Sequence, residues 1–127
     1  MSGRTAPVFI VDDDDAVRDS LRIYLESRGI EVHDFASPDD MLAACGTPRE
    51  GCLVLDFRLP SMDGLELLRV LRDRDIDLPA VLVTGQTDPR IRIRAKKAGI
   101  AALLEKPFDG PALLAIVQEA MDRRPYA

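Results

Sequence analysis

Four polar side chains of this sequence have the chemistry to bind a metal ion and a phosphate group. Each stands at or just past the end of a short apolar run: Asp12, Asp56, Thr84 and Lys106. Asp13 adds a third carboxylate beside Asp12, and crowded carboxylates repel one another unless protons or a hard cation neutralise them. Mg²⁺ commonly joins one or two carboxylates to a phosphate. A lysine and a hydroxyl bind further phosphate oxygens, and a carboxylate can itself accept a phosphoryl group.

The elements that must position these side chains alternate along the chain. Short apolar runs at residues 7–11, 52–55, 80–83 and 101–104 predict four strands, and a weak apolar–polar alternation at residues 31–35 predicts a fifth. Helical apolar spacing follows each run, with a start signal such as Ser37-Pro38 and stop signals such as Gly29 and Gly99. Strands joined by helices in this way form a parallel sheet with right-handed crossovers. We therefore predict an α/β fold with a five-stranded parallel sheet, doubly wound as (βα)5.

The carboxyl ends of such strands meet at one crevice, so the four side chains should lie together. Each also has a structural explanation when taken alone. Residues 12–15 suit a solvated acidic loop before a helix, Asp56 suits a turn, Thr84 a strand end and Lys106 the surface. Their coincidence on four strand ends favours a binding site.

Size and composition narrow the class of protein. The 127 residues fit one domain, residues 1–127 with a core at about 7–122, and the 46% apolar content is typical of a globular chain. The net charge of −5 argues against direct nucleic acid binding by this chain. Cys45 and Cys52 lack metal-ligand spacing and are expected to be free thiols. No apolar run reaches the roughly 20 residues of a membrane span, so we expect a cytoplasmic protein without membrane contact.

Four stretches of the sequence resemble the receiver domains of two-component response regulators. They are residues 8–13 (VFIVDD), 53–64 (LVLDFRLPSMDG), 83–85 (VTG) and 105–108 (EKPF). The last two are most similar to the FixJ-like transcriptional branch. The resemblance covers about residues 7–122 and implies the flavodoxin-like strand order 2-1-3-4-5.

The resemblance also implies roles for the acidic residues. Asp56 matches the phospho-acceptor, which receives its group from a sensor histidine kinase or phosphotransfer protein. Asp13 matches a direct Mg²⁺ ligand, and Asp12 one that acts through water. Asp56 and the backbone carbonyl of Arg58 would complete the protein's share of the metal shell.

The remaining site residues follow in the same way. Thr84 matches the hydroxyl that binds the phosphoryl group, and Lys106 matches its cationic partner. The Lys106-Pro107 peptide is expected to be cis, as in the family. A domain of this kind is not an enzyme, beyond catalysing its own phosphorylation and dephosphorylation.

The sequence departs from the family in the region that transmits the signal to a partner. Receiver domains usually carry Tyr or Phe three residues before the conserved lysine, and this chain has Leu103 there, so we expect weaker or different coupling to the output face. On the fourth helix, Ile93 should point outward beside Arg90 and Lys97. An apolar side chain ringed by positive charge favours contact with an acidic partner surface, or a homodimer through this fourth-helix face.

Two other functions are compatible with parts of the sequence. Residues 13–17 (DDDAV) fit the DxDx[TV] signature of haloacid-dehalogenase-type phosphatases, although that reading leaves Asp56 without a role. A phosphorylation-independent interaction module is the other alternative, because Leu103 weakens the expected switch.

The sequence is compatible with a stand-alone receiver that acts by docking to a partner and with a receiver from a longer transcription factor. The first helix, with Arg18 and Arg22, is where the family usually meets its kinase.

Overall fold

A computed structural model describes residues 6–85 and 88–122. Strands and helices alternate along the chain. The strands are β1 (Val8–Val11), β2 (Val32–Phe35), β3 (Cys52–Asp56), β4 (Ala80–Thr84) and β5 (Ala102–Glu105). The helices are α1 (Asp15–Ser27), α2 (Pro38–Ala44), α3 (Gly64–Asp73), α4 (Pro89–Lys97) and α5 (Gly110–Asp122).

The strands form one parallel sheet in the order β2-β1-β3-β4-β5. Its register pairs Val8 with Cys52 and Leu53 with Ala80. The predicted fold class and strand order are therefore confirmed. The order reverses beside β1, and β1 and β3 lie next to each other at this switch point, where α/β sheets bind their ligands.

Helices cover both faces of the sheet, which explains why its central strands are apolar throughout. Every residue of β1, β3 and β4 is buried, whereas the edge strands β2 and β5 are mostly half-buried. One core holds Leu25 of α1 and Val117 of α5, and another holds Met41 of α2 and Leu67 of α3. A smaller cluster beneath α4 includes Ile91. These cores hold the strand ends that carry the polar residues.

Strand boundaries shift by one residue near the polar edge. Thr84 belongs to β4 rather than following it, because it pairs with Glu105 of β5. Gly51, before β3, is buried with a φ of 133°, and a Cβ there would overlap the backbone oxygen of Pro7. Only glycine fits this close approach to the start of β1.

The fourth helix buries Ile91 and Ala95 as its spacing predicts, but Ala98, which the same spacing places toward the sheet, is the exposed C-cap residue. Ile91 and Ala95 are buried against the sheet, and Ile93 is 55% exposed on the outer side. Asp88 caps the helix by accepting from the backbone N–H of Arg90 at 2.8 Å. None of the helices in the described ranges is both long and apolar enough to cross a bilayer.

Candidate functional site

The four strand-end residues predicted from the sequence lie at one edge of the sheet. Asp12 follows β1, Asp56 ends β3, Thr84 ends β4 and Lys106 follows β5. An open cleft of about 390 Å³ lies at this edge. It is lined by Asp13, Asp56, Arg58, Thr84, Gly85 and Lys106. The topology thus brings residues from four separate segments to one cleft.

The three carboxylates of the site form a compact cluster. Asp12, Asp13 and Asp56 each place an oxygen within 4.8 Å of the others. Asp12 and Asp56 are buried, and Asp13 is exposed toward solvent. The Asp12 carboxylate is fixed by the backbone N–H of Asp14, which donates to Oδ1 at 2.9 Å.

Arg18 of α1 holds the backbone of this cluster in place. Its Nη1 donates to the backbone oxygen of Asp12 at 2.8 Å, and its Nε donates to Asp34 of β2 at 3.2 Å. Its side chain is only 13% exposed. Arg18 therefore supports the site itself, a role that its helical position in the sequence does not reveal, and Arg22 is the more exposed arginine on this helix.

Lys106 connects two of the carboxylates. Its Nζ lies 2.9 Å from Asp56 Oδ2 and 3.3 Å from Asp12 Oδ2. Burial acts to lower the pKa of Lys106, but the hydrogen bonds and charges of Asp56 and Asp12 outweigh it and raise that pKa. Lys106 is therefore a permanent cation at neutral pH. The Lys106-Pro107 peptide is cis, as predicted from the family resemblance.

The pKa of Asp56 stays raised even though Lys106 lies beside it. Burial raises its pKa, the Lys106 hydrogen bond lowers it, and the charge of Asp12 raises it again, with a net increase. The backbone N–H of Arg58 also donates to the Asp56 carboxylate and favours its charged form. Burial and the neighbouring acid together outweigh these two donors.

The charge count of the site matches a divalent cation. Three carboxylates and one ammonium leave two negative charges in a partly buried cleft. A hard cation with oxygen ligands would neutralise them, and Mg²⁺ keeps several waters, which an open cleft accommodates. The donor set therefore fits Mg²⁺ on chemical grounds.

The loop between β3 and α3, residues 57–63, is folded tightly against Asp56. Gly64 donates its N–H to the backbone oxygen of Phe57 at 2.8 Å and so closes the loop. A Cβ at Gly64 would overlap the Asp56 backbone oxygen and approach Leu82 Cδ1 to 3.1 Å. The glycine in the MDG sequence is thus required for close packing against the end of β3.

The phosphatase signature at residues 13–17 does not form a site of its own. Asp14 caps α1 by accepting from the backbone N–H groups of Ala16 and Val17. Asp15 is 84% exposed and binds Arg18 at 2.6 Å. Asp14 and Asp15 therefore serve the start of α1, whereas Asp13 belongs to the carboxylate cluster around Asp56. The described geometry does not favour a phosphatase.

Leu103 and Phe57 belong to one apolar cluster beneath α4. Leu103 is half-buried, and both side chains pack against a group that includes Leu82 and Ile91. Phe57 is thus an aromatic residue next to the position where the family usually has one. Its position directly after Asp56 was the one feature of the sequence that could have pointed to Phe57. Its contact with α4 depends on helix packing, which the sequence pattern does not give.

A family model for the response regulator receiver domain matches residues 8–118. The transcriptional regulatory protein FixJ of Azorhizobium caulinodans is 43% identical over 118 residues, which cover 92% of this chain and 56% of that protein. The chain therefore spans just over half the length of this curated relative.

Solved structures of the same kind superpose closely. The structure described as FixJ-N has a TM-score of 0.84 and 35% identity, with 98% of this chain and 99% of that chain covered. The response regulator StyR has a TM-score of 0.83 and 39% identity, with 93% and 60% covered. Both superpositions cover more than nine-tenths of this chain.

Proposed function

The chain belongs to the response regulator receiver domain family, and from this premise we propose that Asp56 is the residue that accepts the phosphoryl group. The observation that carries the assignment is the contact of Lys106 with both Asp56 and Asp12 at the mouth of the cleft. Asp56 is a buried carboxylate at the end of β3, the middle strand of the sheet. The protein is a phospho-accepting switch of the two-component type, in which Asp56 changes charge state.

The transfer step uses Asp56 as nucleophile. A carboxylate oxygen attacks phosphorus, a P–O bond forms, and the P–N bond to the phosphohistidine of a kinase breaks. The electron pair of the broken bond stays on the imidazole nitrogen. Because burial and Asp12 disfavour the charged carboxylate, the step moves negative charge from the buried oxygen to the phosphoryl oxygens in the open cleft.

Lys106 and Thr84 would bind those oxygens. Lys106 already lies within hydrogen-bond distance of Asp56 Oδ2, so its ammonium is placed to neutralise charge on the transferred group. Thr84 borders the same cleft from the end of β4. We propose that its hydroxyl donates to a phosphoryl oxygen and that this contact is the first step of the switch.

Asp12, Asp13 and Asp56 would hold Mg²⁺, together with the backbone carbonyl of Arg58. Bound there, the ion neutralises the acidic cluster and the charge of the transferring phosphoryl group. Asp13 is the exposed member and suits direct ligation, and Asp12, which is buried and hydrogen-bonded to Lys106, suits contact through water.

Receiver domains of this branch interact with histidine kinases, and the surface beside α1 suits that contact. An apolar groove of about 350 Å³ runs between α1 and the segment after β5, and it shares Lys106 with the site. Val17, Leu21 and Phe108 contribute apolar surface to it. We propose that a kinase segment docks there in the cytoplasm, with half-buried Arg22 on the same helix.

The outer face of α4 is the proposed output surface. Ile93 is 55% exposed, and Arg90 and Lys97 are exposed on the same helix. We propose that phosphorylation promotes a homodimer or an acidic-partner contact through this face. Because the FixJ relatives are transcriptional regulatory proteins, we propose that the contact serves transcription.

Phosphorylation by a small phosphodonor tests the assignment of Asp56. Wild-type protein incubated with acetyl phosphate and Mg²⁺ should gain the mass of one phosphoryl group, and borohydride reduction should map it to Asp56. Asp56→Asn should abolish the adduct, and Asp15→Asn, which alters an exposed acid of the same acidic segment, should retain it. An adduct that survives in Asp56→Asn, or that maps to Asp13, would refute the assignment.

A further inference from the structure

Arg94 of α4 contacts both ends of the loop of residues 57–63. Its Nη2 donates to Asp63 Oδ2 at 3.0 Å, and its guanidinium carbon lies 5.6 Å from the centre of the Phe57 ring. These distances fit an ion pair and a cation–π contact. A single side chain of α4 therefore joins the first and last residues of the loop that follows Asp56.

The two carboxylate oxygens of Asp63 accept hydrogen bonds from two different helices, α3 and α4. Oδ1 accepts from the backbone N–H of Glu66 at 2.8 Å, and the Glu66 side chain accepts from the Asp63 N–H at 2.8 Å. This reciprocal arrangement caps α3. Because the other oxygen binds Arg94, one carboxylate ties the first turn of α3 to α4.

The same loop sets the position of the acceptor. Phe57 donates its N–H to Val83 of β4 at 2.8 Å and accepts from Gly64 at 2.8 Å, so its backbone is held on both sides. The next residue, Arg58, donates its N–H to the Asp56 carboxylate. A movement of the loop would therefore change the donor that faces Asp56.

We propose that Arg94 is a positioning residue that clamps the loop of residues 57–63 to α4 and so couples the Asp56 site to the outer face of that helix. The inference rests on the proposed function of Asp56 for its signalling consequence, although the clamp itself exists in the unphosphorylated protein. This coupling does not depend on Leu103, whose aliphatic side chain occupies the position that is usually aromatic. It depends on the contacts of Arg94 with Phe57 and Asp63.

Hydrogen exchange in the metal-free protein tests the clamp without phosphorylation. Arg94→Gln removes the charge from both contacts, and Asp63→Asn keeps an N-cap acceptor while removing the ion pair. Both should speed exchange of the Gly64 N–H by about 3-fold, the size expected for loss of a partly exposed ion pair. Arg92→Gln is the matched control, since Arg92 lies on the same helix and pairs with Glu105 of β5 at 3.6 Å.

Beryllofluoride, a phosphoryl mimic, tests the coupling. In wild-type protein with Mg²⁺ it should shift the amide signals of Ile91 and Ala95. In Arg94→Gln those shifts should fall to about one third, while the Thr84 shift persists, and Arg94→Lys should recover part of the loss because it keeps the charge but not the flat contact with Phe57. The double variant Arg94→Gln with Asp63→Asn should lose no more than Arg94→Gln alone.

Two results would overturn the proposal. One is unchanged Gly64 exchange in Arg94→Gln, and the other is an equal effect of Arg92→Gln. If beryllofluoride fails to shift even the wild-type protein, the proposed function of Asp56 fails, and the exchange data still decide whether the clamp exists.

Discussion

Lys106 and Asp56 lie 50 positions apart in the sequence, and the Lys106 ammonium donates to Asp56 Oδ2 at 2.9 Å. The contact spans β3 and β5, with β4 between them. Even so, burial and the charge of Asp12 leave the pKa of Asp56 raised. The site therefore holds a carboxylate whose charged form is disfavoured by the fold, an arrangement typical of functional sites.

Asp56→Asn should make the metal-free protein more stable at neutral pH. A raised folded-state pKa means that the folded protein binds the Asp56 proton more tightly than the unfolded chain does. Ionised Asp56 then lowers stability, and this loss develops as pH rises from its usual pKa of 3.8 through the raised value. We expect a gain of about 1 kcal/mol at pH 7, in the range of an imperfectly compensated buried group.

Urea unfolding without divalent cations measures this gain. It should shrink as pH falls through the raised pKa of Asp56, because the wild-type carboxyl then takes up its proton. Asp39→Asn replaces an exposed acid in the first turn of α2 and should show no gain at any pH. Equal stability of wild-type and Asp56→Asn protein across this range would contradict the pKa argument.

Gly64→Ala should destabilise the protein and disturb Asp56. The added Cβ would overlap the Asp56 backbone oxygen and come within 3.1 Å of Leu82 Cδ1. Since overpacking of this kind costs about 1–3 kcal/mol, we expect a matching fall in the free energy of unfolding and slower phosphorylation by acetyl phosphate. Gly85→Ala is the control, because a Cβ there meets no described atom within 4 Å. Equal stability of the two variants would argue against the close approach.

Contacts set by the topology of the sheet were predictable from the sequence, whereas contacts set by helix packing were not. Strand-end residues such as Asp56 and Lys106 were predictable because a parallel sheet brings its carboxyl ends together whatever the helices do. The contact of Arg94 with Asp63 was not, since it depends on how α4 packs beside α3. The D-x-x-E spacing of Asp63 and Glu66 predicts a helix cap, but it does not identify the arginine that binds the second carboxylate oxygen.

The two cysteines should differ sharply in reactivity. Cys52 is fully buried, and burial raises its pKa to about 12, so the reactive thiolate is scarce. Cys45 is half-buried, and its pKa is raised mainly by burial. At pH 8 we expect iodoacetamide to modify Cys45 in the folded protein at least about 100-fold faster than Cys52.

Mass spectrometry of the labelled protein checks this difference. One thiol should react in the native protein and both in denaturant. Cys45→Ser should leave the native protein unlabelled over the same time. Native labelling of Cys52 at a comparable rate would show that β3 opens far more often than a central strand should.

Ile93→Glu should weaken self-association through α4 without unfolding the protein. Ile93 is 55% exposed, so its replacement removes little core packing, and an apolar anchor within an interface is worth about 1.4 kcal/mol or more, a tenfold change in dissociation constant. Sedimentation velocity in Mg²⁺ and beryllofluoride measures the association. Ile23→Glu is the matched control, because Ile23 on α1 is 62% exposed and lies away from α4. An unchanged dimer fraction in Ile93→Glu, or an equal loss in Ile23→Glu, would place the contact elsewhere.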